Sequence, residues 1–107
     1  MKLYPESFDL IKGGSKTVEM RLFDEKRRKL SIGGLIVFTN TKTNEELIAE
    51  IFDLKQFDSF ESLYANYKKT DLGYNDDEVA KPEDMLAYYS VEEIKKHGVV
   101  AIELKAY

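Results

Sequence analysis

A lysine, a glutamate and an arginine fall within one short stretch, Gly14-Ser-Lys-Thr-Val-Glu-Met-Arg21, where charge chemistry and local pattern converge as nowhere else in the chain. The stretch reads as the mouth of a β-strand. Side chains alternate along a strand, so Thr17, Glu19 and Arg21 project to one face and Val18, Met20 and Leu22 to the other. The apolar stripe is fit for a core, which sets the Glu19/Arg21 pair on the opposite, polar wall. Two uses are open to such a pair. One is a solvent-facing salt bridge, which contributes little; the other is a charged constellation aimed at a ligand.

A second group of charges follows the first. From Lys12 to Lys29 seven basic residues face three acidic ones, a local balance of +4 in a chain whose net charge is −4. From Ile51 onward seven basic residues face twelve acidic ones, a balance of −5. That total argues against a polyanion binder covered in lysine. A polarised domain with one phosphate-attracting edge remains open. The run Lys26-Arg-Arg-Lys29 is the candidate for that edge, with Lys26, Arg27 and Arg28 as candidate contacts to phosphate. The alternative is a solvated run balanced by Asp24 and Glu25.

The elements that must position these charges follow a mixed order with short connections. Tyr4 to Lys12 reads as a helix, with Pro5 tolerated in its first turn, Phe8 and Ile11 on one face, and Gly13-Gly14 as its stop. The strand Thr17 to Phe23 follows, then a charged connector from Asp24 to Leu30 with room for one helical turn. Leu35 to Thr39 and Glu46 to Phe57 read as two strands of a hairpin, joined by the turn Asn40 to Asn44. Ile48, Phe52 and Leu54 on one face of the longer strand, and Leu47, Ala49 and Ile51 on the other, predict burial on both sides. Asp58-Ser59 offers an N-cap to a helix carrying Phe60, Leu63, Tyr64 and Tyr67 at amphipathic spacing. After a loop from Lys68 to Asp77, Pro82 opens a short helix bearing Met85, Leu86, Tyr88 and Tyr89. Ser90 and Glu93 form a capping box for a last helix ending at His97-Gly98, and Val99 to Leu104 makes the closing strand.

At 107 residues, 43% of them hydrophobic, the chain suits one compact α+β domain over 1–107. Seven tyrosines and six phenylalanines supply the large side chains of a small core. The absence of cysteine excludes disulfides and thiolate metal sites and fits a reducing compartment. No apolar run approaches the roughly 18 residues a membrane span needs, and Met1-Lys-Leu-Tyr-Pro-Glu leads into no signal-like segment. The expectation is a soluble cytoplasmic protein with no membrane partner. His97 is the one histidine, and its position suits the last carbonyls of a helix rather than a metal. Asp76-Asp77-Glu78 lacks the spacing of a calcium loop, so no metal is expected. Walker, dinucleotide and nucleophile-elbow motifs are missing, and nothing asks for a cofactor. No helix face is left unclaimed, and no oligomeric state is legible.

Gly14, Lys16, Glu19 and Arg21 fit the pattern GxKxxExR, and through it the chain resembles the ASCH domain, a family related to PUA-like RNA-binding barrels. The resemblance extends in register through Lys29-Leu-Ser-Ile-Gly-Gly-Leu-Ile-Val-Phe38, Phe57-Asp-Ser-Phe60, Tyr88-Tyr89 and Gly98-Val-Val-Ala-Ile102. It covers nearly the whole chain. It implies a PUA-like pseudobarrel of mixed, mostly antiparallel strands with flanking helices, and a cleft lined by Lys16, Glu19 and Arg21. It also implies RNA or a nucleoside- or nucleotide-like ligand as partner. In that cleft Arg21 would offer a planar donor fork to phosphate or a base edge, and Lys16 a mobile point charge. Glu19 would orient Arg21 or accept from an exocyclic amine. Tyr74, Tyr88 and Tyr89 are candidates to stack on a splayed base, with core packing as the alternative for each.

A second activity comes with the same resemblance. Some small ASCH proteins are amidohydrolases acting on acylated cytidine-type nucleosides, with a lysine, a threonine and a glutamate as their catalytic set. The lysine aligns with Lys16. The threonine position is held by Glu19, Thr17 lies two residues away from it, and the glutamate would fall between Lys68 and Glu83. If the chain is an enzyme, Lys16 and Glu19 are its catalytic candidates, with Glu19 acting as a base on water. Ribonuclease activity, also attributed to members of the family, would use Lys16 and Arg21 to stabilise charge on phosphorus.

Overall fold

Pro5 opens the first helix of the computed structural model, which describes residues 1–106. Helix α1 (Pro5–Lys12) starts where a missing N–H costs nothing. It closes as Gly13 donates its N–H to the Asp9 carbonyl at 2.9 Å. Helix α2 (Phe60–Ala65) is capped by Ser59, whose Oγ accepts the Ser62 N–H at 3.2 Å. It is shorter than its apolar spacing predicts: Phe60 and Leu63 are buried on it, while Tyr67 packs from beyond its end. Pro82–Ala87 forms a 3-10 helix. Helix α3 (Val91–His97) carries the predicted capping box, with Ser90 Oγ accepting the Glu93 N–H and Glu93 Oε1 accepting the Ser90 N–H, each at 3.1 Å. Gly98 ends it at φ 69°, and a β-carbon there would stand 3.0 Å from the Phe57 carbonyl oxygen.

The strands are β1 (Lys2–Leu3), β2 (Val18–Leu22), β3 (Leu35–Asn40), β4 (Glu46–Phe57) and β5 (Val99–Ala106). They form one sheet in the order β1-β3-β4-β5-β2, with β1 parallel to β3 and the other pairs antiparallel. The sheet curls into a half-barrel with flanking helices, as in the PUA-like architecture expected of the chain. The β3–β4 hairpin turns where predicted, tied by Asn40 Oδ1, which accepts the Lys42 N–H at 2.9 Å. Strand β1 escapes sequence reading because two residues carry no periodicity. The charged connector holds one 3-10 turn, Arg27–Lys29.

Strand β4 corrects an expectation. Leu47, Ala49 and Ile51 are buried, but Ile48 and Phe52 are 45% and 65% exposed, so its first half is buried on one face only. A bulge between Ile51 and Asp53 inserts Phe52 as an extra residue and reverses the parity of the second half of the strand. Leu54 thereby returns to the inner face opposite Ile102. The strand buried on both faces is β5. Val100, Ile102 and Leu104 join the inner core with Leu3, Phe8, Ile11 and Phe38, while Val99 and Ala101 join a second core with Val18, Met20, Leu63 and Met85.

Candidate functional site

Strands β1 and β2 are the two edges of the sheet, and the half-barrel has its seam between them. Arg21 bridges the seam: its Nη2 donates to the Lys2 carbonyl oxygen at 2.8 Å. Beside it opens a cavity of about 380 Å³. Its walls come from α1 and β1 (Leu3, Ser7), β2 (Glu19, Arg21), the segment after α2 (Gly73, Tyr74) and the 3-10 helix with its tail (Asp84, Tyr89).

Alternation along β2 is as predicted, yet the polar wall is not a solvent face. Lys16 and Glu19 are only 7% and 5% exposed, which rules out the solvent-facing salt bridge. The register sets Glu19 opposite Ile102 and Arg21 opposite Val100, on the inner face of the half-barrel, which α1 and β1 cover at this edge. A carboxylate buried there needs compensating partners. Glu19 Oε2 accepts from Arg21 Nε at 2.9 Å and pairs with Nη2 at 2.8 Å, while Oε1 lies 3.0 Å from Lys16 Nζ. Lys16 Nζ also donates to Ser7 Oγ at 2.8 Å. The result is a continuous relay from Ser7 on α1 through Lys16, Glu19 and Arg21 to the backbone of β1, two cations on one anion.

Ser7 and Gly73 were not singled out from sequence. Ser7 carries no motif; only the docking of α1 brings it to Lys16. Gly73 had a partial signal as a loop glycine. Its φ of 104° suits glycine, and a β-carbon there would stand 3.0 Å from Lys16 Cδ, so the loop backbone lies directly against the lysine stem. Thr17 does not line the cavity; its backbone is held by the carbonyl of Asp71 and the N–H of Leu104.

The tyrosines are both core and wall. Tyr74 Oη lies 2.8 Å from Tyr64 Oη and donates to Asp84 Oδ2 at 2.8 Å. Burial, reinforced by those bonds, holds the Tyr74 phenol protonated well above the usual tyrosine range, and burial also raises Tyr64. Tyr89 stacks on Phe60 with ring centroids 6.2 Å apart and planes 12° from parallel. Burial pushes its phenol up as well. Tyr88 lines the cavity while remaining exposed. In the region expected to hold a catalytic glutamate, Glu78 lines the cavity and accepts the Asn75 N–H at 2.7 Å.

The basic run divides. Lys26 and Arg27 line a second hollow, about 430 Å³, together with Lys2 and Arg21. Arg28 does not join them: its guanidinium lies over the Phe23 ring, 4.4 Å from the centroid. A 3-10 turn rotates successive side chains by a third of a circle, so neighbours in the run face different ways. Among the described residues, no group of three or more His, Cys, Asp or Glu side chains converges as a metal site, and no helix is long and apolar enough to cross a membrane.

The fold has counterparts in solved structures. The hypothetical protein PH0355 is 30% identical, with a TM-score of 0.80 over 100% of both chains. The protein PF0455 from Pyrococcus furiosus is 31% identical, with a TM-score of 0.67 over 99% of this chain and 97% of its own. An ASCH protein from Zymomonas mobilis, 19% identical, shares the fold with a TM-score of 0.67; 98% of this chain matches 64% of it. No curated protein matches the chain. The family model of the ASCH domain matches residues 1–106, which establishes that this chain belongs to the ASCH domain family.

Proposed function

We propose that this protein is a recognition module for single-stranded RNA or a nucleotide-like ligand, which it takes into the seam cavity. The observation that carries the reading is the buried Lys16–Glu19–Arg21 relay in the cavity wall. A relay with one excess positive charge, fixed at both ends, is a preorganised donor array for polar base edges and phosphate oxygens. Around it stand Tyr74, Tyr88 and Tyr89, surfaces on which an unstacked base can rest. A volume of about 380 Å³ suits one nucleoside unit and excludes a duplex. The kinship of ASCH domains to PUA-like RNA-binding barrels favours the same ligand class.

The test is a titration of wild type and the Lys16→Ala/Arg21→Ala variant with single-stranded RNA, structured RNA and acylated cytidine, following binding and product together. Single-stranded RNA should bind wild type and lose at least tenfold in affinity in the variant, with no product formed, while circular dichroism shows the variant folded. Turnover of acylated cytidine by wild type would overturn the reading.

One observation favours hydrolysis as the second reading: the Ser7 hydroxyl within 2.8 Å of Lys16 supplies the nucleophile that Glu19 displaces from the family's position. Against it, Glu19 ties the Lys16 ammonium in an ion pair and has both its own oxygens occupied. Loss of turnover in Ser7→Ala would assign the hydroxyl.

A further inference from the structure

The seam cavity and the second hollow share two walls, Lys2 and Arg21. They are adjoining rooms with Arg21 between them, and their charges differ. The cavity counts Glu6, Glu78 and Asp84 among its walls. The hollow is lined by Met1, Lys2, Arg21, Lys26 and Arg27, none of them acidic. The nearby carboxylates are already engaged, Glu19 by Lys16 and Arg21, and Asp24 by Arg27 at 3.2 Å. Lys2 and Lys26 make no ion pair among the described residues.

Arg27 also carries an unsatisfied donor in the wall of the hollow, one that a ligand reaches only if the side chain shifts. Arg27 is anchored through Nη1 to Asp24, and its backbone N–H is accepted by Asp24 Oδ1 at 3.1 Å. Its Nε is buried with no hydrogen-bond partner, the one such side-chain atom among the described residues. A buried guanidinium donor left unpaired is costly.

We propose that the hollow bounded by Lys2, Arg21, Lys26 and Arg27 is a phosphate subsite, so that the ligand is a phosphorylated nucleoside unit whose base enters the seam cavity and whose phosphate lies across Arg21. This rests on the reading of the cavity as a base-binding site. Arg21 is the hinge of the arrangement: Nε and Nη2 are spent on Glu19 and the Lys2 carbonyl, which leaves Nη1 to donate to the phosphate. Polarity follows from charge. Glu78 and Asp84 in the cavity wall disfavour a phosphate there and suit a neutral base with exocyclic amines. The phosphate of a free mononucleotide and that of an RNA backbone share this chemistry.

The test compares cytidine, cytidine 5′-monophosphate, a short single-stranded oligoribonucleotide and inorganic phosphate on wild type, Lys26→Gln and Lys26→Gln/Arg27→Gln. Lys26 is exposed and makes no ion pair among the described residues, so its single variant keeps the fold if the double one does not. The monophosphate should bind wild type at least tenfold more tightly than cytidine and lose that advantage in the variants, while cytidine affinity stays the same. The salt slope for the oligoribonucleotide should shrink by about 0.7 for each cation removed. Inorganic phosphate should shift the Arg27 Nε–H resonance. A monophosphate no tighter than the nucleoside, with the Arg27 resonance unmoved, overturns the subsite while leaving base binding in place. A shifted Arg27 resonance with no nucleoside binding sinks the cavity reading and keeps the phosphate site. An oligoribonucleotide that binds while the monophosphate does not identifies a backbone phosphate as the source.

Discussion

Glu19 is the counterion on which the site depends. It is buried between two cations, and removing its charge leaves Lys16 and Arg21 facing each other without compensation. Breaking a buried pair by removing one partner costs about 3–5 kcal/mol. Glu19→Gln should therefore lower the unfolding free energy by an amount in that range, read as a lower urea midpoint with m unchanged. Arg21→Ala should cost less, since its side chain is 16% exposed and Glu19 keeps Lys16. Equal stability of Glu19→Gln and wild type would show that the relay is held by shape and not by charge. Lys16, Glu19 and Arg21 were legible as a group because strand alternation and charge spacing are local properties. Ser7 was not, because its place beside Lys16 depends on how a separate helix docks.

Glycines set the geometry of the elements around the relay, and two of them separate strain from contact. Gly14 and Gly73 both have positive φ, 86° and 104°, so a side chain at either is strained by about 1–3 kcal/mol. At Gly14 a β-carbon would meet nothing within 4 Å, whereas at Gly73 it would press on Lys16 Cδ at 3.0 Å. Both Gly14→Ala and Gly73→Ala should lower Tm by a few degrees, but Gly73→Ala alone should weaken the ligand by displacing the lysine. Equal affinities for the two variants, measured by titration with single-stranded RNA, would show that the Gly73 backbone does not position Lys16. Most elements were readable from caps and periodicity, the capping box of α3 above all. The faces of β4 were not, because a bulge at Phe52 changes parity without leaving a mark in the residue types.

Four phenols couple the whole fold to alkaline pH. Burial raises Tyr64, Tyr67, Tyr74 and Tyr89, and Tyr67 is further raised by donating to Glu103 at 2.7 Å. In the unfolded chain these groups ionise near pH 10. Below that pH both states hold the protons and the contribution to stability is complete; above it the unfolded state loses protons the native state retains, so stability falls as pH rises. Tyrosinate absorbance from these four should appear together with loss of the circular dichroism signal. A gradual ionisation of all the tyrosines in a protein that remains folded would contradict their burial. The architecture, the family and the charged triad lay in the sequence by itself, because alternation, capping and the order of motifs are written in neighbouring residues. Tertiary structure alone decided that the triad is buried at the seam of a half-barrel, that Ser7 and Gly73 support it, and that Arg27 faces the hollow while Arg28 turns to Phe23. Those outcomes depend on how β1, α1 and the loop after α2 close around the edge of β2, contacts between residues distant in the chain that no local pattern encodes.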